Sequence, residues 1–143
     1  MTTITPLASV YTQKESLLMV DQDLSFDKVA IQPTTSDVVL TGNGFVIRGN
    51  GVYEITYGIT SRTGGLLAVI ALPPSIQTGI IEQSKLYVLP NTSASITFQY
   101  NCTEFTQIEI TNLGNVPISI DGYQPNSSGI TQSTTAYFSV KKI

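Results

Sequence analysis

The stretch Phe45-Val46-Ile47-Arg48-Gly49-Asn50-Gly51-Val52-Tyr53-Glu54-Ile55-Thr56-Tyr57-Gly58-Ile59 decides how this chain is read. After the glycines, Tyr53, Ile55, Tyr57 and Ile59 alternate with Val52, Glu54, Thr56 and Gly58. A period of two places one apolar set on a single face of a β-strand. Gly49-Asn50-Gly51 supplies residues that tolerate positive φ, as a two-residue turn demands. The stretch therefore predicts strand, hairpin turn, strand.

The same pattern recurs outward from it. Ile96, Phe98 and Tyr100 alternate with Ser95, Thr97 and Gln99; Ala136, Phe138 and Val140 alternate with Tyr137, Ser139 and Lys141. Ile108 and Ile110 alternate with Gln107 and Glu109. Gly, Pro and Asn clusters punctuate the chain at short intervals, and Ile, Val and Thr dominate between them, which favours strands over helices. Strands are expected near 7–12, 24–31, 38–40, 45–48, 52–61, 66–72, 86–89, 93–100, 106–112, 118–120 and 134–142. At 143 residues this is one domain: residues 1–5 as a flexible N-terminal end and 6–143 as an all-β, two-sheet jelly-roll sandwich of about ten strands. Residues 66–72 are apolar throughout, so both faces of that strand need cover, from a loop of the same chain or from a neighbouring subunit.

Composition narrows the function. Only 12% of residues are charged, against a usual figure of about 25%. The net charge is −3, and the nearest thing to a basic patch is Lys141-Lys142, so binding to nucleic-acid phosphates is not expected. The longest apolar run, 66–72, is too short to cross a bilayer, and the start of the chain shows no signal-peptide pattern. There is no histidine, which removes the commonest general base and metal ligand. Histidine-dependent serine or cysteine nucleophiles cannot be assembled. The single cysteine, Cys102, forms no intrachain disulfide and reads as a small buried hydrophobe. The carboxylates Asp21, Asp23, Asp27, Asp37, Glu54, Glu82, Glu104, Glu109 and Asp121 read as solvated side chains rather than as a catalytic pair. Asp21-Gln22-Asp23 with Asp27 looks like the start of a calcium loop but lacks its glycine and distal glutamate. No cofactor is expected, calcium being the one option kept. Gly42-Asn43-Gly44 and Gly49-Asn50-Gly51 both read as hairpin turns, because a phosphate cradle needs a helix after it. Enzymatic function is not expected.

Taken together, the opening stretch and the closing Ala136-Tyr137-Phe138-Ser139-Val140-Lys141-Lys142-Ile143 resemble the C1q/TNF-like jelly-roll family. In that family a Phe-x-Ile … Gly-x-Tyr-x-Ile segment occupies the middle and an Ala-x-Phe-x-Val-x-Lys strand closes the domain. Pro6-Leu7-Ala8-Ser9-Val10-Tyr11 and Leu24-Ser25-Phe26-Asp27 resemble the first strands of its bacterial branch, which includes spore-surface glycoproteins and exosporium basal-layer proteins. The resemblance implies a homotrimer, in which the outer face of the sheet holding the first, middle and last strands surrounds a three-fold axis. Candidate interface residues on that reading are Tyr53, Tyr57, Tyr137, Leu67 and Val69. It further implies a non-enzymatic protein of a bacterial spore or cell surface, partnered by itself and by other surface-layer proteins. The alternative is a trimeric head of an adhesin or phage fibre that binds a host receptor or glycan through loops 60–65, 73–79, 114–117 and 123–133.

Overall fold

The computed structural model describes residues 7–73, 79–103, 105–121 and 134–143. The N-terminal end 1–5, loop 123–133, most of loop 73–79 and Glu104 lie outside the described residues. Among the described residues there are thirteen strands: β1 (Ala8–Thr12), β2 (Ser16–Leu18), β3 (Lys28–Ile31), β4 (Val38–Thr41), β5 (Gly44–Ile47), β6 (Gly51–Ser61), β7 (Gly65–Leu72), β8 (Gly79–Ile80), β9 (Leu86–Val88), β10 (Thr92–Cys102), β11 (Thr106–Asn112), β12 (Ile118–Ile120) and β13 (Ala136–Lys142). A single 3₁₀ turn, Glu82–Ser84, is the one helical element among them.

The strands form two packed sheets and a small third one. The first runs β10-β6-β13-β1-β3; the second runs β4-β5-β11-β7-β8, with β9 also on β7; β2 and β12 pair alone. All the pairings are antiparallel. This is the expected all-β sandwich. The core lies between the two large sheets, filled by the apolar half of each alternating strand. Phe138 from β13 sits at its centre, with ring centroids 4.9 Å from Phe45, 6.0 Å from Phe26 and 6.4 Å from Tyr57. Burying each such side chain contributes roughly 1.5–3 kcal/mol. At one end β2 and β12 lie across the opening, with Leu18, Ile118 and Ile120 turned inward and buried.

The structure corrects the opening stretch in one respect. β5 and β6 are not a hairpin: β5 pairs with β4 and β11, whereas β6 pairs with β10 and β13. Gly49-Asn50-Gly51 carries the chain from one sheet to the other. The Asp37 carbonyl accepts the N–H groups of Arg48 (2.6 Å) and Gly49 (3.4 Å), and a Cβ at Gly49 would collide with the Asp37 carboxylate. Gly51 adopts φ 142°. Gly42-Asn43-Gly44, by contrast, is the expected hairpin turn, with Thr41 opposite Gly44. The expected strand at 24–31 begins only at Lys28, and β2 and β8 were not anticipated.

Candidate functional site

Register, not sequence spacing, assembles the outer face of the five-stranded sheet. Opposed residues of antiparallel strands share a face. Tyr11, Tyr137, Gly58 and Ser95 therefore stand in one row across β1, β13, β6 and β10, and Ser9, Ser139, Thr56 and Thr97 stand in the next. Lys141, Glu54 and Gln99 form a third. Gly58 is what allows the Tyr137 ring to lie down on the sheet. A Cβ there would sit 2.7 Å from Tyr137 Cε1 and 2.9 Å from the Ala94 carbonyl oxygen. Beside the ring is an open depression of about 310 Å³ lined by Gly58, Thr60, Ser93, Ser95, Thr134 and Tyr137.

Three pairs of polar groups on this face satisfy one another across strands. Thr56 Oγ1 and Thr97 Oγ1 are 2.9 Å apart, and Thr60 Oγ1 and Ser93 Oγ are 2.7 Å apart. Lys141 Nζ lies 3.1 Å from Glu54 Oε1, with both side chains about 30% exposed. A face whose hydroxyls and charges are already paired loses less on desolvation than one carrying free charges.

Of the five candidate interface residues, Tyr137 alone lies on this face. Tyr53 and Tyr57 belong to the inward set of β6 and are fully buried in the core. Parity explains it: they alternate with Glu54 and Thr56 and share a side with Ile55 and Ile59. The Tyr53 hydroxyl donates to the Gly49 carbonyl at 2.7 Å; burial, then the nearby Asp37, pushes its pKa up to about 12. The Tyr57 hydroxyl donates to the Ser84 carbonyl, and burial raises its pKa as well. Leu67 and Val69 sit on β7 of the other sheet, also fully buried toward the core. None of these four has surface to offer a second chain. Tyr11 and Gly58 were missed. Their parity was legible, but their row with Tyr137 depends on pairings between distant strands.

The outer face of the six-stranded sheet is different in kind. β7 shows it Leu66, Ala68, Ile70 and Leu72, of which Ala68 is wholly covered and the others half-covered. Glu109, expected to be solvated, is only 6% exposed there. Burial first, and then the Asp23 carboxyl within hydrogen-bonding reach, push its pKa up to about 7, while the Gln107 side-chain amide, which donates to it, pulls the other way. The remaining acids of the supposed calcium loop diverge: Asp27 pairs with Lys14 at 3.5 Å and Asp21 is exposed. Among the described residues no three metal-binding side chains come together, and no helix is long and apolar enough to cross a membrane. Cys102 is buried, as expected.

A third region is the capped end. Leu17, Met19, Val20, Tyr87, Leu89 and Val116 are all exposed. Leu17 is opposite Ser119 in the β2–β12 pair. The Asn112 side-chain amide donates to the carbonyls of both Leu18 and Val116, at 3.1 and 2.9 Å. Leu113 donates to Leu66, which faces Tyr87. Loops 60–65 and 114–117 meet at this end, where the Thr63 hydroxyl accepts the Ser119 N–H at 3.0 Å.

No family model and no curated protein matches the sequence. Solved structures do match the fold. PRD1 vertex protein P5 superposes with a TM-score of 0.57 at 12% identity, over 99% of each chain. Eiger TNF from S. frugiperda gives 0.65 at 14% identity, over 95% of this chain and 90% of that one. The fold is the C1q/TNF-like jelly roll. Murine APRIL agrees, at 0.61 and 7% identity over 94% of this chain and 96% of its own.

Proposed function

We propose that this chain is a non-enzymatic assembly module that forms a homotrimer through the outer face of its five-stranded sheet. The observation that carries this reading is the row Tyr11–Tyr137–Gly58. It gives two half-buried tyrosines side by side, the Tyr137 ring lying against a glycine, on a face where the charges and some of the hydroxyls are already paired. Aromatic anchors on such a face are what a buried interface centre uses. The family resemblance directs the same sheet toward a three-fold axis. The setting we propose is the outer layer of a bacterial spore, where the chain acts by self-association and by contact with other surface-layer proteins. Its test is fractionation: a tagged chain expressed during sporulation is expected in the insoluble surface layer, and recovery wholly in the soluble mother-cell fraction would contradict that setting.

The exposed apolar end favours a second reading, a trimeric head that engages a partner through loops. Support comes from loops 60–65 and 114–117, which converge there beside Leu17 and Val116, and from the full-length likeness to PRD1 vertex protein P5. Such a surface suits a protein receptor better than a glycan, since sugar hydroxyls need polar partners. Saturable binding of the chain to host cells, abolished by Leu17→Asp with no loss of trimer, would establish this reading over the layer component.

A further inference from the structure

Residues 21–24 continue the sheet edge that β5 leaves at Glu109. The Asp21 N–H donates to the Asn112 carbonyl (3.1 Å), the Asn112 N–H to the Gln22 carbonyl (3.3 Å) and the Leu24 N–H to the Ile110 carbonyl (2.8 Å). The Thr111 hydroxyl reaches the Gln22 carbonyl at 3.3 Å. Asp23 stands opposite Thr111, which puts its side chain on the face that carries Glu109, one diagonal step away.

This pair has no cation to balance it. β7 turns Ala68 and Ile70 toward Glu109, β5 turns Gly44, and β11 itself adds Gln107 and Thr111. The segment contributes Asp23, with Asp21 two residues before it. Among the described residues every ion pair uses other acids. Glu109 resists ionising here, because its charge would be desolvated by burial and repelled by the neighbouring Asp23 carboxyl.

We propose that Asp23 and Glu109 form a proton-operated clasp, which holds residues 21–24 on β11 at acidic pH and lets them go at alkaline pH. Leu24, buried in the core, is the fixed point about which the segment loosens. Asp21 helps release, since its φ of 62° is a conformation that costs a non-glycine residue. The effect travels to the end cap: β2 directly precedes the segment, and Asn112 ties both the segment and Leu18. Loosening therefore unfastens β2 from β12 and reshapes the apolar end. The direction follows from linkage. The folded chain keeps a proton that the unfolded chain gives up near pH 4.5, so rising pH erodes stability up to the folded value of about 7 and no further.

The test is amide hydrogen exchange at Asp21 and Asn112, corrected for intrinsic rate, at pH 5.5 and pH 8.5. Protection at these amides is expected to fall at least tenfold at the higher pH, with amides at the centre of β6 unchanged. Glu109→Gln, which donates to Asp23 without charge, is expected to keep protection at both values, and Asp23→Asn serves the same purpose should the first variant fold poorly. Equal protection of the parent chain at both pH values, or the same loss in parent and variants, would overturn the clasp. So would a carboxyl resonance of Glu109 titrating below pH 5.

Discussion

The two outer faces of the sandwich are dressed for different work. The five-stranded sheet shows Ser and Thr rows whose hydroxyls pair across strands, one Lys–Glu pair, and an aromatic row laid over Gly58. The six-stranded sheet shows aliphatic side chains, exposed residues Val39 and Ile80 at its two edges, and a carboxyl pair that joins Glu109 to the segment extending β11. The first face is the one we propose a second copy covers. The second is extended at β11 by residues 21–24 of its own chain. A surface that is only half apolar can still serve as an interface when its charges are paired before the partner arrives.

This contrast can be broken at single residues. The largest effect is expected from Phe138→Ala, which removes the ring at the centre of the core and costs about 3–5 kcal/mol. Chemical denaturation should show the protomer itself failing. Its neighbour on β13 faces the other way. Tyr137→Asp is expected to weaken association at least a hundredfold, about 3 kcal/mol, while circular dichroism and the unfolding transition of the protomer stay close to those of the parent. Loss of fold in that variant would move Tyr137 into the core and sink the distinction. Gly58→Ala comes next. The Ala94 carbonyl cannot step aside, and the Tyr137 ring must lift, so a destabilisation of about 1–3 kcal/mol is expected, with weaker self-association in sedimentation. Ile80→Ser on the other sheet is the smallest, within about 0.5 kcal/mol and without change in solution mass. A drop in mass from that variant would assign the interface to the wrong sheet.

Much of the fold was legible because alternation reports side-chain direction directly. The inward sets of β6, β11 and β13 follow from the period of two alone. Partnership was not legible. Gly42-Asn43-Gly44 and Gly49-Asn50-Gly51 are the same tripeptide, yet the first closes a hairpin and the second crosses between sheets. What separates them is Asp37, whose carbonyl captures Arg48 and Gly49 and turns the chain away from β5. Nothing within the tripeptide encodes that. The candidate site suffered likewise. Parity alone puts Tyr137 on the outer face of β13 and Tyr53 and Tyr57 in the core. Tyr11 joins the site only through its register with β13. Asp23 and Glu109 meet because residues 21–24 extend the edge of β11, a contact between segments distant in the chain. β2, three residues long, is too short to show a period.

The central claim is association through the five-stranded face, and solution mass tests it most directly. Sedimentation velocity at micromolar concentration is expected to give three copies of 15.4 kDa, about 46 kDa, collapsing to a single copy in Tyr137→Asp. A parent chain that sediments as one copy at that concentration would contradict the account.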